Sequence, residues 1–421
     1  MHIILQSPMK ILFLPAYFHP EKAASSYLSE NRNHVFADTG FEMTVYTPIP
    51  TRGVSAEVRN EYKRRRIETC YDGKMTVRRF GMMREGHNPV LRAFRYTLCC
   101  VRQFSWAVFS GEARRCDVMF ISSTPPIQGA MAALVKRFTH KPFVYNLQDI
   151  FPDSLVGTGL THKGSLLWKI GRWIENFTYR HADRIIVISE DFKRNLLSKG
   201  VPEDKIEVIY NWVDENAVVP VARKDNPLFD EFGLDRSKFY IVYAGNLGAA
   251  QNIDIILQAA QSTRDLPDLQ YLIFGSEEQS EPYKKRVAEL NLQNLRILPI
   301  QPYERVSFVY GLGNAAVVSC KKGFGGIAMP SKTWSILSAG TAVLASFDTG
   351  TDMQRIIEGN DIGLFTQAED LNAFTAAIRK LYDDPQRCAS MGKRGRDYIL
   401  THLTREIGTS RFVKVLNYFA K

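Results

Sequence analysis

Short apolar runs alternate with longer stretches of helical periodicity along most of the chain. In the first half the runs fall at 9–15, 43–47, 76–80, 118–122, 143–146, 184–188 and 206–210. Helical patterns separate several of them, notably the stretch reaching Asp38 and those over 127–137 and 166–181. After a segment at 216–232 rich in Pro, Asp, Asn and Lys, the alternation begins again. Strands are predicted at 240–244, 270–274, 295–298, 315–319 and 342–346, and helices at 252–261, 282–290, 331–339 and 371–382. Continuous apolar strands are those buried on both faces, and strands separated by helices run parallel. The pattern predicts an α/β chain of two Rossmann-like, doubly wound domains, which bind ligands at the carboxyl ends of their strands. The expected divisions are 1–215, a connection at 216–235, a second domain at 236–385, and helices over 386–421 free to pack on either domain.

Composition agrees with two cores: 421 residues with 45% apolar content exceed the usual size of one domain. Residues 1–8 read as an extension before the first strand. Six cysteines show neither a Cys-x-x-Cys pair nor a histidine at metal-ligand spacing, which points to free thiols in a reducing compartment. No cleavable leader is recognisable and no run reaches the ~18 apolar residues of a membrane span, so the expectation is a cytoplasmic protein.

Charge adds a partner class. Between Arg52 and Arg115 there are fifteen Lys or Arg against six Asp or Glu, an excess close to the net charge of +10. Such a field favours an anionic surface or substrate. Nucleic acid is disfavoured, because no recognisable binding motif accompanies it. An anionic membrane fits better, since 91–109 interleaves Phe94, Tyr96, Leu98, Phe104, Trp106 and Phe109 with Arg92, Arg95 and Arg102. A solvent-facing helix with an aromatic core stripe explains the same pattern.

Candidate chemistry lies where second-half strands end. Tyr243-Ala244-Gly245-Asn246-Leu247-Gly248 leaves a strand through two glycines, which let a backbone approach a ligand closely. Lys321-Lys322-Gly323-Phe324-Gly325-Gly326 precedes Pro330-Ser331-Lys332, a helix start with proline in a compatible position. A cation at the electropositive end of a helix is disfavoured unless it faces an anion, so Lys332 is expected to face a phosphate.

These segments resemble retaining glycosyltransferases of the GT-B fold, family four, and among them the L-fucosamine transferases of O-antigen and colanic acid assembly. The likeness also rests on Met9 to Glu21, Asp149-Ile150-Phe151-Pro152-Asp153-Ser154, Ala182-Asp183-Arg184-Ile185-Ile186, Asn211-Trp212-Val213-Asp214 and Ser338-Ala339-Gly340. It implies two domains facing across a cleft, a UDP-sugar held by the second, and an undecaprenyl-diphosphate-linked saccharide held by the first. The sugar implied is an N-acetylated hexosamine or deoxyaminosugar, transferred with retention at the inner membrane face, in surface polysaccharide synthesis. No metal is implied, because cations and helix starts neutralise the leaving diphosphate.

The donor residues the resemblance implies are Gly245, Asn246, Lys321, Lys322, Gly323, Gly325, Ser331, Lys332, Ser335 and Asn211. Asp149 is the first candidate for orienting the acceptor or taking its proton, with Asp153 and His19 behind it and Glu21 as a sugar-hydroxyl acceptor. The chain departs from the commoner pattern in carrying Asn246 and Gln251 where many members have two cations. Ile327 and Ser335 likewise replace a glutamate pair, and Gln148 a histidine. Those departures keep open an epimerase of the same shape, or a non-catalytic donor-binding or assembly protein.

Overall fold

The computed structural model describes residues 8–21, 26–86, 88–157 and 161–420. Most of the stretch read as an N-terminal extension, residues 1–7, lies outside them. The chain divides into two compact units, one of residues 1–210 with 408–421, the other of residues 211–407.

In the first unit the strands are β1 (Lys10–Phe13), β2 (Glu42–Pro48), β3 (Ile67–Cys70), β4 (Met75–Phe80), β5 (Val118–Ser122), β6 (Phe143–Leu147), β7 (Arg184–Val187) and β8 (Ile206–Val208). They lie in the order β3-β4-β2-β1-β5-β6-β7-β8, parallel except for β3, which pairs antiparallel with β4. The central strands β5, β6 and β7 are buried almost throughout, as their unbroken apolar runs require. The helices Pro89–Phe109 and Leu166–His181 start on caps, Asn88 accepting from the Val90 and Leu91 N–H groups and Ser165 from Trp168.

The second unit holds β9 (Phe239–Ala244), β10 (Leu269–Gly275), β11 (Leu295–Pro299), β12 (Ala315–Ser319), β13 (Ala342–Phe347) and β14 (Gly363–Gln367). All pair in parallel, in the order β11-β10-β9-β12-β13-β14. This is the dinucleotide-fold order 3-2-1-4-5-6, whose direction reverses between the first and fourth strands. The segment 216–235, read from sequence as a connection, packs into this unit. Arg223 donates to the carbonyls of Arg236 and Lys238, both at 2.8 Å, and Asn226 to that of Phe308 at 2.7 Å, while Leu228 and Phe229 are buried. Pro282, read as a helix start, lies inside the helix Glu277–Glu289. Among the described residues no helix is long and apolar enough to cross a membrane.

Candidate active site

Where the strand order of an open parallel sheet reverses, the loops leaving the two central strands diverge and leave room for a ligand. In the second unit those strands are β9 and β12, and the loops are Gly245–Gly248 and Cys320–Gly326. The end of β12 and the start of its loop are tied to the turn that follows Gly248: the Lys321 N–H donates to the Ala250 carbonyl at 2.9 Å, and Ser319 Oγ to that of Gln251 at 2.6 Å.

Lys332, on the first residue of the short helix Lys332–Ser338, reaches into this place. Its Nζ lies 3.8 Å from the Tyr243 ring centroid, and a Cβ added to Gly245 would come within 3.2 Å of it. Glycine at 245, with φ of +132°, is therefore required twice, by its backbone conformation and by the ammonium beside it. The Nζ is buried, and among the described residues no hydrogen-bond acceptor reaches it. Desolvation pushes its pKa down from 10.5 to about 7, and the Tyr243 ring face is a favourable neighbour. A buried ammonium with three unused donors is unstable in isolation, and an arriving anion would supply what is missing.

The rest of the donor-side set divides by what its groups already do. Asn246 Oδ1 accepts from the Gly248 N–H at 3.1 Å and from Gln279 Nε2 at 2.7 Å, so this side chain shapes the turn. Gln251 Oε1 is buried near Gly248 and has no hydrogen-bond partner among the described residues. In the glycine-rich loop the Gly323 and Gly325 N–H groups both donate to Asp348 Oδ2, at 2.7 and 2.8 Å. A Cβ on Gly325 would stand 2.7 Å from the Asp348 Cβ. These two donors hold in shape the loop that carries Gly323 and Gly325, both expected at the donor side. Lys321 and Lys322 are exposed on the same loop, and Ser331 makes no capping hydrogen bond. Ser335 is half-buried on the Lys332 helix, and Asn211, also half-buried, opens the second unit.

In the first unit the order reverses between β1 and β5. His19, in the loop after β1, is exposed, and its carbonyl accepts from Arg79 at 2.6 Å. Glu21 is buried: it accepts from the Phe18, Thr51 and Arg52 N–H groups at 3.1, 2.7 and 2.9 Å, fastening two loops, and is not placed to take a sugar hydroxyl. Asp149 follows β6 and remains exposed to solvent. Desolvation by the surrounding protein raises its carboxyl above the usual range, opposed by hydrogen bonds from Ser154 and the Ile150 backbone. Asp153, four residues on, is bound to Arg172 at 2.7 Å and Lys199 at 2.9 Å. Glu175 shares both cations and accepts from Tyr179 at 2.8 Å. Burial raises the Asp153 carboxyl, but Lys199 and then Arg172 outweigh it and hold the group below its ordinary value.

Two family models divide the chain between them: the glycosyl transferase 4-like domain matches residues 34–212, and glycosyl transferases group 1 match residues 225–398. The chain is a GT-B glycosyltransferase related to the family 4 and group 1 enzymes. It is 28% identical over 275 residues to WbjE of Pseudomonas aeruginosa, named as a probable glycosyltransferase, covering 65% of this chain and 67% of that one. It is 26% identical over 251 residues to WcaI of Escherichia coli, whose name places it in colanic acid biosynthesis as a glycosyl transferase, covering 59% and 61%. The aligned stretches thus span about two thirds of these relatives' length. Among solved structures, HepE of Anabaena in complex with UDP-glucose superposes with a TM-score of 0.70 at 14% identity, over 97% of this chain and 100% of that one.

Of the residues expected at the donor side of this glycosyltransferase, Gly245 and Lys332 lie together, Asn246 is the next residue of the same turn, and Lys321 is tied to the Ala250 carbonyl that follows it. His19, Asp149 and Asp153 stand on two separate loops of the first unit. The sequence reading named Tyr243 within its motif but gave no role to the ring that lies against the ammonium, and it missed Asp348, which organises the glycine-rich loop. Asp348 carried a signal: it directly follows an apolar strand, the position from which a side chain reaches a neighbouring loop. Among the described residues no cluster of three or more His, Cys, Asp or Glu side chains is placed to hold a metal ion.

Proposed function

We propose that this glycosyltransferase moves a sugar, an N-acetylated hexosamine or deoxyaminosugar, from a UDP-sugar to an undecaprenyl-diphosphate-linked saccharide, with retention, in surface polysaccharide synthesis. The observation that carries the donor half is the buried, unpartnered Lys332 ammonium beside Gly245 at the switch point of the second sheet. A nucleotide diphosphate brings the acceptors that Nζ lacks. As the sugar–oxygen bond breaks, charge grows on the leaving phosphate, and a protonated Lys332 stabilises it. Lys321 and Lys322, on the loop clamped by Asp348, extend the positive field, while Ser331, Ser335 and Asn211 complete the donor side. With these cations in place the reading requires no metal.

The acceptor half assigns Asp149 to orient the incoming hydroxyl or take its proton. Its raised carboxyl makes the carboxylate a stronger base than an ordinary aspartate. His19 helps position the acceptor, and Asp153 supports the loop that carries Asp149. The UDP donor is supported by HepE, solved with UDP-glucose, and the polysaccharide setting by the name of WcaI. The basic 52–115 stretch, with its surplus of nine positive charges, suits a diphosphate-bearing lipid in the inner face of an anionic membrane.

Incubation with a panel of UDP-sugars, with and without a lipid-diphosphate saccharide, tests the reading. Acceptor-dependent release of UDP is expected. Turnover of the donor sugar to its epimer without acceptor, or binding without any turnover, would replace it.

A further inference from the structure

The surface helix Leu166–His181 presents a face that the fold leaves uncovered. Leu166, Ile170, Trp173 and Phe177 recur at the i, i+4, i+7, i+11 spacing that aligns side chains along one stripe. Leu166 is 74% exposed and Trp173 65%, with Leu167 and Ile170 near half. The Trp173 and Phe177 rings stack at 5.6 Å. The opposite face, with Gly171, Glu175, Thr178 and Tyr179, is buried. Along one flank of the stripe stand Lys169, Asn176 and Arg180, all exposed.

That flank borders a cavity of about 350 Å³ whose lining includes Asn176, Tyr179, Arg180, Lys199, Val201 and Lys205, with no carboxylate. Lys199 is neutralised, together with Arg172, by Asp153 and Glu175. Among the described residues Arg180 has no acidic partner and the Lys205 ammonium donates only to the Arg180 carbonyl, at 3.1 Å, so two positive charges remain in surplus at the cavity. An apolar, aromatic stripe flanked by unneutralised cations has the chemistry of a bilayer interface: hydrocarbon below, phosphate at the level of the cations.

We propose that this helix is the docking surface for an anionic phospholipid bilayer, with Leu166, Leu167, Ile170 and Trp173 inserted and a lipid phosphate held between Arg180 and Lys205. The inference deepens the proposed function, on whose lipid-linked acceptor its purpose rests. The helix lies directly over the loop of the candidate base: a Cβ on Gly171 would meet Phe151 at 2.7 Å and Pro152 at 2.9 Å. Arg172 and Lys199 bind Asp153 on the same loop. A bilayer seated on the helix would therefore lie against the element that backs Asp149. In the sequence-predicted membrane stretch at 91–109, Arg95 is buried, Tyr96 bonds Tyr17 at 2.9 Å and Trp106 stacks on Tyr46 at 4.1 Å, while Leu91, Phe94, Val101 and Phe109 are exposed and form a second apolar surface of the same unit.

Flotation of the full chain with phosphatidylglycerol-containing vesicles, without donor or acceptor, separates this inference from the enzymatic one. The expected result is salt-sensitive binding, absent with pure phosphatidylcholine and not displaced by millimolar inorganic phosphate, with a blue shift of Trp173 emission. Ile170→Ser/Trp173→Ser and Arg180→Ala/Lys205→Ala, checked for unchanged melting, should each weaken it by at least about tenfold. Native-like vesicle binding by both variants would overturn the proposal, as would loss confined to neutralisation of Arg64, Arg65 and Arg66. A native dimer that Ile170→Ser/Trp173→Ser turns into a monomer, with no vesicle binding by either, would overturn it in favour of a second copy as the occupant. Acceptor-dependent UDP release with no vesicle binding would leave the transferase reading intact and remove this one.

Discussion

At Lys332 the chain carries an ionisable group into a place where no described residue supplies a counter-charge, and the consequences are measurable before any sugar is transferred. Burial lowers its pKa from 10.5 to about 7. Because the folded value lies below the unfolded one, the unfolded chain binds more protons between about pH 7 and 10.5. The donor-free protein should therefore gain stability as pH rises through that window. Donor binding runs the other way, since a diphosphate selects the protonated amine. Calorimetry with UDP in buffers of different ionisation enthalpy should show uptake of about half a proton at pH 7, approaching one by about pH 9, with affinity falling as pH rises. Lys332→Gln should abolish the uptake and weaken UDP by roughly thirtyfold, the loss of one charge-assisted contact worth about 2 kcal/mol. Uptake unchanged in that variant would move the titrating group elsewhere.

The loops show how neighbouring residues of one type divide between chemistry and support. Asp149 and Asp153 are four residues apart, yet one is exposed with a raised carboxyl and the other is held by two cations. Asp149→Asn should lower transfer by about a hundredfold or more with melting unchanged. Asp153→Asn leaves Lys199 and Arg172 under-compensated and should destabilise the first unit by about 3 kcal/mol. Gly325→Ala should also weaken the donor, because its Cβ would press against Asp348 and reshape the clamped loop; UDP affinity measured beside the melting temperature separates this from unfolding. Such distinctions were only half legible in the sequence. The glycines and lysines named the loops, and the unbroken apolar runs named most strands, because both signals are local. The Asp348 clamp acts across 23 and 25 residues, and the Asp153 cluster recruits Lys199 from 46 residues away, so neither leaves a local pattern. The edge strand β3 alternates exposed and half-buried positions, without the apolar run that marked the central strands.

For the molecule as a whole, the path of the chain makes one unit depend on both termini of the sequence. The first unit is left at Tyr210 and rejoined at Gly408. The returning segment is anchored by Phe412, 3% exposed, whose ring lies 6.0 Å from that of Phe120 in β5, and by Tyr418, over which the Arg184 guanidinium sits at 4.2 Å. Phe412→Ala should therefore cost about 3–5 kcal/mol, the usual range for emptying a buried aromatic position, and all of it should fall on the first unit. Residues 211–407, which contain Lys332, Gly245 and Asp348, do not include this contact. Scanning calorimetry should then show an early transition that the substitution lowers and a later one that UDP raises, with UDP affinity at 25 °C unchanged. A single transition, shifted as a whole by both Phe412→Ala and UDP, would mean that the two units unfold as one cooperative block and that the stability of the donor side depends on the C-terminal segment as well.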